Sequence, residues 1–373
     1  MRTGPFYGLA YSHAKPINEN RGRSGFAPPL YRERHDAATD RNRRREIMNN
    51  DKRGLVLSGG GAKGAYQAGI VKALAELDIK IDAVSGTSIG ALNGAVLSAS
   101  SSVPDAAVRL QKLWHTLAEE PPLENEVPAP VRLLESAGLK LKPVVRNTTI
   151  LAKEIQQNLI STLRSPEKGY LVDNGPIQKL LNEYVTHERL AAGLPLYVSI
   201  FPNRSVWESV IGYSLAVAGI KDTPKSEFFL VQSLSAEDQR KVLLASAAIP
   251  FLLEAQEING ERYSDGGLGG RINSQGNTPI QPLVEEGYKT IIVTSLSDRM
   301  AWEGQKYPGT TLLEIRREKP IDRTPILPEV LDVVSFHPSK IYSWIEQGYQ
   351  DTIRSLTPHL PLLSGQGQLD SNT

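Results

Sequence analysis

The sequence predicts an α/β fold with a mainly parallel central sheet. Two observations predict it. An apolar strand is followed by a glycine-rich turn and a helix, and the same three-part unit recurs at once with no hairpin signal between. Strands joined through helices run parallel, and the helices cover the sheet.

The first unit opens with Gly54-Leu55-Val56-Leu57-Ser58, an apolar run fit for a strand buried on both faces. Gly59-Gly60-Gly61-Ala62-Lys63-Gly64 follows, then a helix over residues 65–77 with Ile70, Leu74 and Leu77 at helical spacing. In the second unit residues 81–85 read as a strand and Gly86-Thr87-Ser88-Ile89-Gly90 as a sharp turn. Residues 91–99, mostly small and apolar, continue as a helix. A further helix is expected over 104–118 around Leu110, Leu113 and Trp114. Residues 121–143 are Pro-rich and less regular. Leu151, Ile155, Leu159 and Leu163 form one stripe of an amphipathic helix over 149–163, read as facing the core. Residues 196–201, 228–231 and 291–296 read as strands, the last preceded by a helical stretch over 282–287. There is no internal repeat.

Charge divides the chain. The total is +1, from 42 Lys and Arg against 41 Asp and Glu, which argues against a dedicated nucleic-acid binder. Yet residues 1–53 hold ten Arg and two Lys against six acids, a net of +6, leaving −5 on the rest. With no apolar periodicity, these residues read as a disordered basic tail ahead of a folded body. The tail has no apolar core of a secretory signal peptide. The longest apolar stretches, 210–220 and 242–253, fall short of the roughly 18–20 residues of a membrane-spanning helix. A chain without cysteine has no disulfides, no thiolate nucleophile and no Cys-based zinc site. The expected organisation is a tail over 1–53, a main domain over 54–300 with an insertion at about 121–175, and a C-terminal extension over 301–373. That extension packs on the main domain and ends in disordered residues.

Three motifs bear on chemistry. Residues 59–64 satisfy G-x-G-x-x-G. A dinucleotide site would need an acid at the C-terminal end of the second strand, about 20 positions on, but Asp82 opens that strand. A Walker loop fails because Ala65-Tyr66 follows Gly64. What remains is a set of backbone N–H groups at a helix N-terminus, a ready anion cradle. Residues 86–90 satisfy G-x-S-x-G between strand and helix. They form either a nucleophile elbow presenting Ser88 on a strained turn or a plain glycine-rich helix start. A serine nucleophile needs a base. Of six histidines, His337 in Phe336-His337-Pro338-Ser339 reads as a helix entrance, and His359 lies in a Pro-rich stretch. Asp265 in Tyr263-Ser264-Asp265-Gly266-Gly267-Leu268-Gly269-Gly270 is either that base or part of a tight surface turn.

Taken in order, Gly-Gly-Gly-Ala-Lys-Gly, Gly-Thr-Ser-Ile-Gly and Asp-Gly-Gly resemble the patatin-like phospholipase family. Ala245-Ser246-Ala247-Ala248-Ile249-Pro250 before Asp265 and Asn277-Thr278-Pro279 after it resemble it too, so that the likeness covers about residues 54–296. The resemblance implies a three-layer α/β/α patatin-like fold and a Ser-Asp dyad, with Ser88 as nucleophile and Asp265 as base. It implies an oxyanion hole from Gly59, Gly60, Gly61, Lys63 and Gly64, with Gly86, Gly90, Gly266 and Gly267 as supporting motif glycines, and neither metal nor cofactor. The implied activity is lipid acyl hydrolysis of the phospholipase A type on a phospholipid or other acyl ester, with peripheral membrane contact and no nucleic acid. The implied location is cytoplasmic or at a membrane surface, without signal peptide or transmembrane helix. Some members of the family require an activator. The same dyad could serve an acyltransferase, whereas a nucleotide-binding module would leave the elbow and Asp265 unexplained. Two departures from a minimal member, residues 121–175 and the apolar run at 210–220, leave the dyad untouched. The run reads as a buried strand or helix rather than a lid.

Overall fold

A computed structural model describes residues 52–120, 175–203, 221–248, 253–270, 272–296, 307–318 and 336–363. The chain divides into two units after Glu46, and every described residue belongs to the second. The expected basic tail up to residue 51, the amphipathic helix at 149–163 and the apolar run at 210–220 lie outside the described residues.

The centre of the molecule is a sheet ordered β5-β6-β3-β2-β1-β7-β8, with β4 also pairing to β3. The strands are β1 (Arg53–Leu57), β2 (Ala83–Thr87), β3 (Leu196–Pro202), β4 (Glu227–Leu230), β5 (Gln256–Ile258), β6 (Glu261–Asp265), β7 (Thr290–Thr294) and β8 (Thr311–Ile315). β8, β7, β1, β2 and β3 run parallel. The outer edge of β3 is shared by two antiparallel partners: β4 takes residues 197–200 and β6 takes 200–202. The sheet does not stop at residue 300, since β8 pairs with β7 along its whole length.

Alternation along the strands separates two apolar faces. Leu55, Leu57, Val84, Val198, Ile200 and Ile292 join one core with α1 (Ala65–Glu76), α2 (Ile89–Ser98) and α3 (Val103–Glu119). Val56, Ala83, Tyr197, Ile291 and Val293 join a second with Ile280 and Leu283, at the short α4 (Gln281–Glu285). Both faces being covered is the physical reason β1 reads as an unbroken apolar run.

Helix starts follow local chemistry. Ser102 caps α3 by accepting from the Asp105 N–H, with Pro104 in the first turn. Ser235 does the same for α5 (Ala236–Ala247), accepting from the Asp238 N–H. His337 is the cap of α6 (Pro338–Leu356), its Nδ1 accepting from the Ser339 N–H. α5, β8, the β5–β6 hairpin and all of α6 beyond its entrance at His337 are absent from the sequence prediction. The hairpin turns at Asn259–Gly260, whose φ values of 53° and 80° meet the left-handed demand of a type I′ turn.

α6 lies across α1 at backbone contact distance. A Cβ at Gly69 would sit against the Ile345 carbonyl and 2.7 Å from the Tyr349 nitrogen; one at Gly348 would sit against the Tyr66 carbonyl group. The contact carries one buried polar lock, in which the Tyr66 hydroxyl donates to Asp351 Oδ2 at 3.0 Å. Burial first, and the Asp351 carboxylate second, push the Tyr66 pKa far upward, so this donor keeps its proton. Asp351 also accepts from the Glu318 N–H at 3.1 Å and pairs with Arg354 at 2.8 Å.

Overpacking such a contact forces the helices apart. Gly348→Ala is expected to lower stability by about 1–3 kcal/mol. Urea unfolding checks this, and an unchanged midpoint would show that the helices can separate freely.

Candidate active site

β2 delivers Ser88 to the C-terminal edge of the parallel strands. The ladder extends further than the sequence pattern suggests, since Gly86 pairs with Leu57 and Thr87 with Ser199. The whole reversal into α2 therefore falls on Ser88, which has φ 55° and ψ −127°. A non-glycine residue in that region stores on the order of 1–3 kcal/mol of strain and persists only where its surroundings fix it.

The fixing contacts are specific. The Ser88 N–H donates to Ser246 Oγ at 2.8 Å, and Ser246 Oγ donates onward to the Ser199 carbonyl at 2.7 Å. Thr87 Oγ1 donates to the Gly276 carbonyl at 2.6 Å. Gly86 and Gly90 let the turn close: a Cβ on Gly86 would lie 2.5 Å from the Gly90 oxygen, and one on Gly90 2.7 Å from the Ser58 oxygen.

Asp265 ends β6. Strand β3 lies between β2 and β6, and its adjacent residues 199 and 200 pair with Thr87 and Asp265 respectively. This register brings the two side chains together across one strand. The Ser88 hydroxyl donates to the Asp265 carboxylate, and the Gly267 N–H donates to Oδ1 at 2.8 Å. Asp265 is 7% exposed, so Asp265-Gly266 is not a surface turn. Burial pushes its pKa up to about 6, against the lowering effect of both hydrogen bonds.

The glycine loop closes over the same place. The Gly59 N–H donates to the Asn277 carbonyl at 3.3 Å, and a Cβ there would lie 2.7 Å from Asn277 Oδ1 and 3.0 Å from Ser88 Cβ. Gly60 precedes a 3-10 turn over Gly61–Gly64, with Gly61 at φ 57°. The Lys63 N–H donates back to the Gly60 carbonyl, and the Lys63 side chain is buried. Gly64 packs on Ile89 and Trp114. α1 and α2 thus both start at the site, and neither carries an acid in its first turn to offset the positive end of its dipole.

His337 caps α6 and His359 is exposed, and neither shares a hydrogen bond with Ser88 or Asp265 among the described residues. Also among them, no group of three or more His, Asp or Glu is arranged to hold a metal ion. The sequence motifs missed two contributors. Ser246 looks like one more small residue in an Ala-rich helix, and Asn277, wedged between Gly59 and Gly267, like a loop residue. Only the family resemblance marked either segment.

The Asp265 shift has a consequence for stability. Its native pKa of about 6 lies above the ordinary 3.8, so the native chain holds a proton there that the unfolded chain has released. That stabilising contribution is complete below about pH 4 and is lost as pH rises through about 6. Asp265→Asn is therefore expected to raise stability at pH 7.5 by roughly 1–3 kcal/mol and to flatten the decline between pH 4 and 7. Denaturant titrations across that range check it; an Asn variant no more stable at pH 7.5 would contradict the burial effect.

The model of the patatin-like phospholipase family matches residues 55–282. Lysophospholipase nte1 of Aspergillus terreus is 51% identical over 59 residues, 16% of this chain and 4% of that protein. Patatin-like phospholipase domain-containing protein 7 of Rattus norvegicus is 42% identical over 79 residues, 21% of this chain and 6% of its own. The matched part of the chain thus spans only a small share of these relatives' length. Among solved structures, VipD from Legionella pneumophila aligns with a TM-score of 0.37 at 15% identity, over 83% of this chain and 67% of that one. Human GIVD cytosolic phospholipase A2 aligns with a TM-score of 0.37 at 11% identity, over 85% and 63%. The family match takes in the glycine loop, Ser88 and Asp265 and covers more than half of the residues, and the chain belongs to the patatin-like phospholipase family.

Proposed function

We propose that the chain is a lipid acyl hydrolase that cleaves fatty-acyl esters of phospholipids by stepwise acyl transfer. The observation that carries this is the hydrogen bond from the Ser88 hydroxyl, on its strained turn, to a buried Asp265 with a pKa near 6. Family membership and relatives named as phospholipases and lysophospholipases support it.

Ser88 Oγ attacks the ester carbonyl carbon while its proton passes to Asp265. The carbonyl π electrons move onto oxygen, and this oxyanion rests on N–H groups of the glycine loop. Gly60 and Gly61 are the foremost donors, because the N–H groups of Gly59 and Lys63 are directed at the Asn277 and Gly60 carbonyls. Collapse breaks the bond to the leaving alcohol, which takes the proton from Asp265. Water then attacks the acyl-serine and gives its proton to Asp265. The second collapse releases the fatty acid and returns that proton to Ser88. Aspartate is a weak base for an alcohol, so most of the barrier reduction must come from donors preorganised toward the oxyanion and from the two helix N-termini.

Fatty-acid release from phospholipid vesicles tests the dyad. Ser88→Ala and Asp265→Asn are each expected to reduce the rate by at least about 10³-fold. Because the base must be ionised, kcat/KM should rise about tenfold per pH unit below about 6 and level off above it. Activity retained in either variant would sink the assignment.

Residues 1–53, at net +6 beside a −5 remainder, are proposed as a tether to anionic membranes, with about 1 kcal/mol for each basic residue near the surface. Deleting residues 1–50 should weaken binding to anionic vesicles and leave binding to neutral ones unchanged. Equal binding to both before and after deletion would exclude a tether.

A further inference from the structure

We infer that Trp114, Asn93 and Gln67 form a buried amide relay that sets the pose of the glycine loop, making them positioning residues for the oxyanion donors. The inference rests on the proposal that this loop receives the oxyanion.

All three side chains are fully buried, in three different helices: Gln67 in the first turn of α1, Asn93 in α2 and Trp114 in α3. Buried amides are costly unless every polar atom finds a partner. Here the partners are in place and run in one direction. An indole N–H can only donate, and Trp114 Nε1 lies 3.0 Å from Asn93 Oδ1, which fixes the carbonyl side of that amide. Asn93 Nδ2 then has two hydrogens and two acceptors, the Gly64 carbonyl at 3.0 Å and Gln67 Oε1 at 2.8 Å. With its oxygen so engaged, Gln67 turns Nε2 to the Ser58 carbonyl at 2.8 Å.

The relay therefore ends on two backbone carbonyls, one before the loop at Ser58 and one at its end at Gly64. In a trans peptide the carbonyl and the following N–H point in opposite directions. Holding the Ser58 carbonyl toward the helices turns the Gly59 N–H the other way, and that group is found on the Asn277 carbonyl. Ser58 is held a second time, its Oγ accepting from the Leu296 N–H at 2.9 Å. Gly64 is held sterically as well, since a Cβ there would lie 2.9 Å from Trp114 Cζ2. None of the relay's hydrogen bonds ends on Ser88 or Asp265. Its effect on the reaction passes through the backbone of the loop, where a small displacement moves donors that matter only once the oxyanion forms.

Trp114→Phe keeps an aromatic ring in the core, removes the donor that orients Asn93 and loosens the contact on Gly64. Gln67→Met removes the last link and leaves Asn93 and Trp114 in place. Both are made in the full chain and assayed for kcat and KM on phosphatidylcholine vesicles, with active sites counted by fluorophosphonate titration. Inhibition by an alkyl trifluoromethyl ketone is measured alongside, since its carbonyl adds Ser88 Oγ to give a tetrahedral oxyanion. For each folded variant kcat per active site should fall by about tenfold or more, with KM within about twofold, and the ketone inhibition constant should rise by the same factor as kcat falls. If Trp114→Phe does not fold, Gln67→Met decides. Unaltered kcat and ketone affinity per active site, with only a lower unfolding midpoint, would show a purely structural network and overturn the inference. Ser88→Ala is the control: activity retained there overturns the dyad assignment and this inference with it. Loss there beside unaltered relay variants overturns the inference alone.

Discussion

Everything at the site depends on one backbone reversal, the left-handed turn at Ser88 between β2 and α2. An L-residue there is unfavourable, so the surrounding structure must hold it. It does so from both sides: Ser246 takes the Ser88 N–H, the Gly276 carbonyl takes the Thr87 hydroxyl, and β1 closes against Gly90. Because helix α2 starts at the next residue, the conformation that strains the chain also aims a helix N-terminus at the place where negative charge would develop.

The same packing tunes the acid beside it. Asp265 is buried at the end of an antiparallel strand, and burial raises its pKa by disfavouring the charged form. Hydrogen bonds from Ser88 and Gly267 pull against that, and the balance falls near 6. A carboxylate deeper in the core would not ionise at neutral pH. One on the surface would be too weakly basic to take a serine proton. The register across β3 makes the compromise possible, since it brings the end of β2 and the end of β6, the two strands that flank β3, to the same level of the sheet.

The loop that closes the site is held from beneath by three helices and, at one remove, by a fourth. α1 begins where the loop ends, and α6 lies on α1 through Gly69, Gly348 and the Tyr66–Asp351 hydrogen bond. Residues near the C-terminal end of the described chain thus brace the element that starts at the glycine loop.

Much of the fold was legible because it rests on local pattern. β1, its glycine loop and α1 follow directly from an apolar run, consecutive glycines and a 3.6-residue repeat. His337 announced a helix entrance by its neighbours, and Pro338–Leu356 follows it. The β5–β6 hairpin carried a readable Asn-Gly signal, but β8 and the body of α6 beyond its entrance did not declare themselves, because their burial depends on elements far away in the chain. At the site, Ser88 stayed open between a nucleophile elbow and a glycine-rich helix start, and Asp265 between base and turn, until the family resemblance was added. The contacts of Ser246, Asn277 and the Trp114 indole could not be read from local pattern, although the family resemblance marked the segments of the first two. Their partners lie from 21 to 158 residues off for Trp114 and Ser246, and no local rule connects them. Local pattern was enough for the parallel strands and for a serine on a glycine-flanked turn between strand and helix. The strain at Ser88, the closeness of Ser88 to Asp265 and the upward push on the Asp265 pKa emerge only in three dimensions, because they depend on packing, strand register and exclusion of water rather than on the order of neighbouring residues.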